Sequence, residues 1–291
     1  MRKIEASELM INSDGSVFHL HLRPQDIADT IILVGDPKRV ELVTSFFDKI
    51  EIEASNREFV SKTGLYKGKR LTVLSTGIGT DNIDIVVNEL DALANIDFNS
   101  RTVKPQIKAL NLIRMGTSGA IQADIPVGST VISDISIGFD GLLNFYAGRN
   151  TVSILDIEQA FTKHMGWNSQ LASPYFVKAS SKLSTLFGND VIHGMTISSP
   201  GFYAPQGRVL RLPLHDADLL EKIKSFRFEN KRITNFEMES SAIAGLAALM
   251  GHNATTICTI IANRYAKNAN TNYKSAVENM IKMGLDKLVD I

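Results

Sequence analysis

Two short segments place arginine side chains beside turns in which backbone N–H groups could bind an anion. In VGDPKRV, a turn at residues 35–37 follows an apolar strand, and Arg39 would lie on the first turn of a helix that begins at Pro37. In IRMGTSGA, Arg114 ends an otherwise apolar strand, and Thr117 is predicted in the loop after it. Because a buried arginine is unfavourable unless paired, Arg114 indicates either a buried ion pair or, together with Arg39, a site for an anion such as phosphate.

A loop with two prolines and two glycines could recognise a planar ring. The segment SSPGFYAPQGRVLRL, residues 198–212, carries Phe202, Gln206 and Arg208. A glutamine amide offers both a donor and an acceptor to the edge of a nucleobase, and an aromatic side chain such as Phe202 packs against a ring face. Taken alone, the segment is also compatible with an ordinary surface loop.

Two carboxylates precede an apolar segment near the C-terminus. In NFEMESSAIAGLAALMGH, Glu237 and Glu239 flank Met238, and residues 241–250 are almost all small or apolar. Such a run predicts a buried helix. Acidic side chains in the first turn of a helix are stabilised by its dipole, and this local effect by itself gives neither carboxylate a function.

The elements that must position these side chains belong to an α/β fold. Apolar runs bounded by glycine and turn residues predict strands, and apolar residues at helical spacing lie between them at residues 81–93 and 216–223. The predicted strands are 30–34, 71–75, 109–115, 130–137, 191–197 and 254–261. Because several of them end in glycine, we expect ligands at the carboxyl ends of the strands. No domain boundary is evident, so residues 1–291 are predicted as one domain with residues 1–16 as an N-terminal extension.

Composition and motifs disfavour several classes of function. The 291 residues carry 31 basic and 31 acidic side chains, so charge indicates neither a nucleic-acid nor a membrane partner. The single cysteine, Cys258, permits no disulfide within the chain and is predicted to be buried in a strand. No apolar stretch has signal-peptide length or reaches the ~20 residues of a membrane span, which predicts a cytoplasmic protein. TGIGTDN lacks the third glycine of a dinucleotide fingerprint, and the histidines show no spacing typical of zinc ligands.

Eight short motifs carry a family resemblance. They are VFHL (17–20), VGDPKRV (34–40), NREF (56–59), STGIG (75–79), IRMGTSGAI (113–121), FYAPQGR (202–208), FEMES (236–240) and ANRY (262–265). In this order they resemble the nucleoside phosphorylase family, and within it the uridine phosphorylases. The resemblance extends from residue 17 to at least residue 264. It implies one α/β domain with a central mixed sheet, partly closed like a barrel and surrounded by helices.

The resemblance also implies an activity and an assembly. The expected enzyme is a pentosyltransferase that catalyses reversible phosphorolysis of uridine by phosphate to uracil and ribose 1-phosphate, in nucleoside salvage or catabolism. The alternatives are a purine nucleoside phosphorylase or a hydrolytic nucleosidase of the same fold. The pair Gln206-x-Arg208 favours a pyrimidine, because purine-specific relatives lack it. The expected assembly is a homodimer with shared active sites, which many bacterial members extend to a hexamer.

Carried over position by position, the resemblance assigns three groups of residues. The phosphate-binding positions are Gly35, Arg39, Arg57, Arg114 and Thr117. The ribose-binding positions are His19, Thr117, Met238 and Glu239, and the positions around the base are Phe202, Gln206, Arg208, Glu237 and Arg264. Arg57 and His19 would act on the substrate of the neighbouring subunit. Arg208, Glu239 and Arg114 are the predicted catalytic residues.

The chain departs from the family pattern beside a cation position. After STGIG it has Thr80, Asp81 and Asn82, where many bacterial members have a Gly-Pro-Ser type sequence. Some relatives bind a monovalent cation at the dimer interface, partly through that serine, and Glu58 matches another residue of that site. Because Asn82 stands in place of the serine, the resemblance leaves open whether a K⁺ ion binds near Glu58. No other metal and no cofactor are expected, and residues 140–167 match nothing in the family pattern.

Overall fold

Strands and helices alternate along the chain in the computed structural model, which describes residues 2–266, 268–269 and 273–291. The described helices are α1 Pro37–Thr44, α2 Thr80–Asn95, α3 Arg149–Val152, α4 Leu155–Met165, α5 Ser181–Ser184, α6 Leu219–Ser225, α7 Ser240–Met250 and α8 Lys274–Leu288. Within these described residues, no helix has the length and apolar character needed to cross a bilayer.

The strands are distributed over the whole chain. They are β1 Thr30–Val34, β2 Lys49–Asn56, β3 Phe59–Tyr66, β4 Lys69–Ser75, β5 Ile96–Asp97, β6 Thr102–Val103, β7 Asn111–Ala120, β8 Thr130–Gly138, β9 Tyr175–Lys178, β10 Ile192–Ser198, β11 Arg227–Phe228, β12 Lys231–Glu237, β13 Asn253–Asn263 and β14 Asn268–Ala269. β5 and β6 form a separate two-stranded sheet, and the other strands belong to one large sheet.

Part of the large sheet closes into a barrel. Its strands run in the order β11-β12-β10-β8-β13-β7-β1-β4-β3-β2, with β9 beside β8 and β14 beside β13. An additional antiparallel pairing between β12 and β7 joins the two ends of the path β12-β10-β8-β13-β7. β10 is parallel to both β12 and β8, whereas β13 is parallel to β7 and antiparallel to β8. This mixed, partly closed sheet with helices around it confirms the predicted α/β fold.

Apolar periodicity located the buried elements and missed several others. β1 has the predicted bounds, and the other predicted strands correspond to β4, β7, β8, β10 and β13. The predicted helices at 81–93, 216–223 and 241–250 correspond to α2, α6 and α7, and α1 begins at Pro37 as expected. The strands β2, β3, β9 and β12 and the helix α8 have no counterpart among the predictions. β2 alternates exposed and half-buried residues, so it lacks the apolar run on which the predictions depended.

The loop predicted at residues 116–120 is wrong, because β7 continues through this whole segment in parallel register with β13. A Cβ on Gly116 would lie 3.0 Å from Arg114 Nη2 and 3.1 Å from Cys258 Sγ. The glycine therefore makes room for a buried arginine inside a strand and does not mark a turn. As a result Thr117 lies within β7, and Cys258 is buried in β13 as predicted.

The sequence suggested that the two carboxylates of FEMES lie in the first turn of a helix. In the structure they precede that turn. β12 pairs in parallel with β10 up to the register Ser198 to Glu237, and this pairing extends the strand through Glu237. Glu239 is the N-cap residue of α7, which begins at Ser240. Both acids are therefore held where a strand of the barrel meets a buried helix.

The buried helix α7 is covered by the segment that the family pattern left unexplained. Residues 240–247 of α7 are buried, and the helix packs against α2 and β13. A Cβ on Gly245 would lie 2.9 Å from Leu143 Cδ1, so the short 3₁₀ helix Leu142–Phe145 contacts α7 closely. Residues 140–167 thus form one side of the scaffold that supports Glu239.

The N-terminal extension is fastened to the rest of the fold by Arg101. The Nε atom of Arg101 donates to the carbonyl oxygen of Ile4 at 2.8 Å, and its Nη2 atom donates to those of Glu5, at 3.0 Å, and Leu9. Residue 1 lies outside the described residues. The extent of the domain over residues 1–291, with residues 1–16 as an extension, stays a prediction.

Candidate active site

Arg114 lies at the centre of a buried cluster of charges. Its Nε atom donates to Glu237 Oε2 at 3.0 Å, and its Nη2 atom donates to Glu239 Oε2. Burial lowers the pKa of the guanidinium, but Glu239 and Glu237 outweigh burial and raise that pKa above its usual value. The remaining nitrogen, Nη1, is buried without a hydrogen-bond partner in the described chain and lies 4.0 Å from a Cβ built on Gly35. Arg114 therefore takes part in an ion pair and also keeps one donor free on the side of Gly35.

Glu237 connects Arg114 to the start of α7. Its carboxylate accepts from Ser198 Oγ at 2.6 Å and from the backbone N–H groups of Glu239 and Ser240, both at 2.9 Å. Burial raises the pKa of Glu237, but Arg114 and these donors lower it below its usual value. Glu237 is thus an ionised structural anchor that caps the helix. Both carboxylate oxygens of Glu237 are engaged within the cluster. The predicted supporting role of Glu237 near a base stays a prediction.

Glu239 is held between Arg114 and the first turn of α2. Its Oε1 atom accepts from the backbone N–H of Gly79 at 2.9 Å, and the side chain is 4% exposed. Burial raises the pKa of Glu239 to about 7, with Arg114 opposing the shift and Glu237 adding to it. Met238 lies half buried between the two acids. Of the residues predicted to bind ribose, Glu239 is therefore a buried carboxyl group with a pKa of about 7, and Met238 is a half-buried thioether beside it.

We expect the stability of the folded protein to report this titration. A carboxyl group whose folded-state pKa is raised favours folding while it is protonated, and its contribution is lost as the pH rises through about 7. Unfolding in urea in phosphate-free buffer at pH 5.5 and 8.5, for the protein and for Glu239→Gln, isolates this group. The free energy of unfolding of the parent should fall relative to that of the variant as the pH rises. A difference that does not change with pH would contradict the placement of Glu239.

Arg39 adds a second guanidinium to the side of the cluster that faces Gly35. It lies half buried on α1 and forms no ion pair within the described residues. Burial lowers its pKa, and the positive charge of Arg114 lowers it further. The carbonyl oxygen of Gly77 lies 3.5 Å from a Cβ built on Gly35, so the turns after β1 and β4 meet here. Two like charges without a shared counter-ion favour an anion between them.

Four of the five predicted base-binding residues, Phe202, Gln206, Arg208 and Arg264, form a second cluster after β10, and the fifth, Glu237, belongs to the Arg114 cluster. Gln206 is buried, and its Oε1 atom accepts from Arg208 Nη1 at 2.7 Å and from Arg264 Nη2 at 3.0 Å. The guanidinium of Arg208 lies over the ring of Phe202, 3.5 Å from its centroid. Burial and, to a smaller extent, the positive charge of Arg208 together lower the pKa of Arg264 to about 10. Because the Gln206 oxygen is occupied by two arginines, the amide offers its NH₂ group, and not both of its functions, to a ligand.

The base cluster joins the Arg114 cluster through β7 and β10. The backbone N–H of Arg264 donates to the carbonyl oxygen of Ala120 at 2.8 Å, and its Nε atom lies 3.3 Å from a Cβ built on Gly119. The loop of Gln206 follows β10, whose last residue, Ser198, hydrogen-bonds Glu237. Both clusters therefore lie at one end of the barrel.

His19 and Arg57 form a separate group. Asn56 Nδ2 donates to the carbonyl oxygen of His19 at 2.8 Å, and Arg57 is the next residue, exposed at the tip of the hairpin between β2 and β3. The ring of His19 is hydrogen-bonded to Glu89 in the middle of α2. Since a helix rises 1.5 Å per residue, Glu89 lies about 15 Å along α2 from Gly79, which holds Glu239. The segment of His19 is thus held near Arg57 by Asn56, and its ring is held by Glu89 at a distance along α2 from the residue that binds Glu239.

Comparison with known proteins places the chain in a family. The model of the family described as the Phosphorylase superfamily matches residues 29–289. The chain belongs to this superfamily. Uridine phosphorylase of Thermococcus kodakarensis is 28% identical over 267 residues, which cover 91% of this chain and 83% of that protein. Purine nucleoside phosphorylase DeoD-type of Brevibacillus brevis is 30% identical over 243 residues, which cover 83% and 85% of the two chains.

A solved structure extends the similarity to the three-dimensional fold. A nucleoside phosphorylase of Trypanosoma brucei, described as showing uridine phosphorylase activity, superposes with a TM-score of 0.89 at 28% identity. The superposition covers 97% of this chain and 100% of that one. The fold of this phosphorylase superfamily member is therefore shared with a characterised enzyme along nearly its whole length.

Asn82 stands at the position where some relatives bind a cation through a serine. A Cβ on Gly77 would lie 2.4 Å from Asn82 Nδ2 and 3.2 Å from Glu58 Cγ, so the Asn82 amide nitrogen packs beside the Glu58 side chain. The amide of Asn82 also carries an oxygen, and amide oxygens are among the ligands of hard cations. Among the residues that the structure describes, no group of three or more His, Cys, Asp or Glu residues could hold a metal ion. A K⁺ ion near Glu58 stays a prediction.

Several residues of the site were missed by sequence reasoning. They are Gly79, Ser198 and Ser240 in the charge cluster and Asn56 and Glu89 in the His19 group. Gly79 and Ser240 lie inside motifs that were singled out, but their use as backbone donors depends on contacts between distant segments. Glu89 had one signal, since it is an acid at the edge of the apolar face of a helix.

Proposed function

We propose that this protein catalyses the reversible phosphorolysis of uridine by phosphate, giving uracil and ribose 1-phosphate. The observation that carries the proposal is the Gln206 cluster, which presents an amide NH₂ and a guanidinium at the end of the barrel that also holds Arg114 and Glu239. Two adjacent donors suit the carbonyl oxygens of uracil, and the resemblance assigns the pair Gln206-x-Arg208 to pyrimidine-specific members of the family. The similarity to enzymes named uridine phosphorylase supports the same substrate.

Phosphate is expected beside the free donors of the arginines. Arg39, the unpaired Nη1 atom of Arg114 and the turn at Gly35 would hold it, with Thr117 between phosphate and sugar. A phosphate oxygen forms a bond to C1′ of the ribose while the C1′–N1 bond breaks, and the bonding electron pair leaves with the base. Phosphate is itself the nucleophile, so no activated side chain is required. Holding the reactants in this geometry can lower the barrier by about 7–11 kcal/mol.

Glu239 and the base cluster would stabilise the charges that develop. The ribose gains positive charge as the glycosidic bond breaks. The carboxylate of Glu239, in its ionised form, would accept hydrogen bonds from the ribose hydroxyls close to that charge, with Met238 packed against the sugar. Uracil gains negative charge, which the Arg208 guanidinium and the Gln206 amide would stabilise, with Arg264 fixing the amide and Phe202 packing beside the ring.

A homodimer with shared active sites is part of the proposal, with a hexamer as its larger form. Its support is that Glu89, which holds the ring of His19, lies about 15 Å along α2 from Gly79, which holds Glu239. Arg57 is assigned to the neighbouring subunit by the resemblance. A single chain would then lack the group that meets the ribose 5′-hydroxyl and one of the phosphate arginines. The predictions of a cytoplasmic location and of a role in pyrimidine salvage belong to the same proposal.

We expect complementation between two variants of reduced activity. His19→Ala and Glu239→Gln, carrying different affinity tags, are co-expressed, and the hetero-oligomer is isolated over both tags. One of its sites combines an intact Glu239 with an intact His19, so phosphorolysis should exceed that of either variant alone. In the control, His19→Ala is co-expressed with the double variant His19→Ala/Glu239→Gln, and phosphorolysis should not exceed that of His19→Ala alone. Active sites that are complete within one chain would give no complementation in either pair.

The proposed activity is tested by measuring base release over a panel of nucleosides. Uridine, 2′-deoxyuridine, thymidine, inosine and adenosine are each incubated with and without phosphate. We expect release of uracil only when phosphate is present, with formation of ribose 1-phosphate. Equal release without phosphate would identify a hydrolytic nucleosidase. A preference for inosine or adenosine would identify a purine nucleoside phosphorylase, an alternative that the similarity to the Brevibacillus brevis enzyme keeps open.

A further inference from the structure

A buried carboxylate on α2 is directed at the His19 segment. Glu89 is 8% exposed. Its two oxygens accept from the backbone N–H groups of His19, at 3.1 and 3.2 Å, and Leu20, at 2.9 Å. The Nδ1 atom of His19 lies 2.6 Å from Glu89 Oε1. All donors to this carboxylate in the described chain come from these two residues, so Glu89 fixes the local backbone and the ring together.

The ring of His19 is confined on its other sides by packing. The rings of Phe18 and Phe59 meet it edge to face, with centroids 5.0 and 6.5 Å away. Asn56 holds the backbone from the opposite side through the carbonyl oxygens of Phe18 and His19. The His19 side chain remains 26% exposed, and within the described residues no hydrogen bond is made by its Nε2 atom. One ring nitrogen is thus engaged by a buried acid, while the other is free.

We propose that Glu89 is a positioning residue that keeps the proton of His19 on Nδ1 and presents Nε2 to the 5′-hydroxyl of the ribose bound by the neighbouring subunit. This inference rests on the proposed function, which assigns His19 to the ribose. A carboxylate accepts hydrogen bonds only, so Nδ1 must donate to it, and the hydrogen bond of one ring nitrogen sets the state of the other. Glu89 thereby makes recognition of the 5′-hydroxyl depend on a residue that never touches the substrate.

The test compares uridine with 5′-deoxyuridine, which lacks only the 5′-hydroxyl. In Glu89→Gln the side-chain NH₂ group can donate to Nδ1 of His19, so the ring proton moves to Nε2. The amide oxygen of the glutamine remains to accept from the backbone N–H groups of His19 and Leu20. We expect kcat/KM for uridine to fall about tenfold, the value of one hydrogen bond, with little change for 5′-deoxyuridine. His19→Ala and the double variant His19→Ala/Glu89→Gln should show the same reduced preference. The matched control is Asp91→Asn, which alters another carboxylate of α2 that lies 3.2 Å from a histidine, His252, and should leave the preference unchanged.

A second measurement does not depend on turnover. Nitrogen-15 NMR of the histidine rings is expected to show a proton on Nδ1 of His19 in the parent and its loss from Nδ1 in Glu89→Gln, with far-ultraviolet circular dichroism checking that the variant is folded. An unprotonated Nδ1 in the parent, or an unchanged preference for uridine in Glu89→Gln, would overturn the inference. If the parent cleaves no nucleoside at all, the proposed function fails, and the NMR spectrum alone decides whether Glu89 holds the proton.

Discussion

Replacing Arg208 with alanine is expected to lower kcat/KM for uridine by a factor of about 10²–10³, corresponding to ~2.7–4 kcal/mol of transition-state stabilisation. The guanidinium is fixed before the substrate arrives, because it rests on the Phe202 ring and donates to Gln206 Oε1 at 2.7 Å. A donor held in this way needs no reorganisation when negative charge develops on the leaving base. Steady-state kinetics at saturating phosphate measure the effect.

The leaving group provides a sharper version of this experiment. A 5-fluoro substituent withdraws electrons from uracil, so 5-fluorouridine should lose less activity than uridine in Arg208→Ala. Arg211→Ala is the matched control, since Arg211 is an exposed arginine of the same loop, and its kinetics should stay close to those of the parent. Equal losses for both substrates would show that Arg208 contributes to binding and not to departure of the base.

Replacing Arg114 with methionine is expected to lower the free energy of unfolding by about 3–5 kcal/mol, because it leaves Glu237 and Glu239 buried without their counter-charge. The loss should be smaller at low pH, where Glu239 is protonated, and should grow as the pH rises through its folded-state pKa. Urea denaturation at several pH values measures it.

Two further variants separate charge from packing. Arg232 makes a similar two-point pair with Asp124, at 2.8 and 2.6 Å, but on the surface, and Arg232→Met should cost at most about 1 kcal/mol. Adding Glu237→Gln and Glu239→Gln to Arg114→Met removes the isolated charges and should restore part of the lost stability. A triple variant no more stable than Arg114→Met would mean that the loss comes from packing around the strand and not from uncompensated charge.

The sequence predicted those features that depend on local patterns. The run TIILV became β1 with its predicted bounds, because a strand that is buried throughout must be apolar throughout. The apolar helix after FEMES was found for the same reason. β2 was missed because it is partly exposed, and β12 was missed because its buried part contains the polar residues Thr234, Asn235 and Glu237, which interrupt an apolar run. Gly116 misled the prediction, because a glycine that makes room for a neighbouring side chain looks the same in sequence as one that permits a turn.

The chemistry of the site depended more on the resemblance than on local pattern. From the sequence, Arg114 indicated either a buried ion pair or an anion site. The structure is compatible with both, since Nε and Nη2 bind carboxylates and Nη1 has no partner among the described residues. The links from Gly79 to Glu239 and from Glu89 to His19 join residues 160 and 70 positions apart. Contacts at such separations follow from the topology of the barrel and have no periodic signal in the chain.

The shared oxygen of Gln206 limits how this binding site could evolve. Arg208 and Arg264 both donate to it, and no other side-chain oxygen in the described chain accepts a hydrogen bond from either arginine. A substitution that removes the Gln206 amide would leave two guanidinium groups facing each other across a partly buried gap, with mutual repulsion in place of a common acceptor. We therefore expect a substitution at Gln206 to be better tolerated when one of the two arginines changes with it.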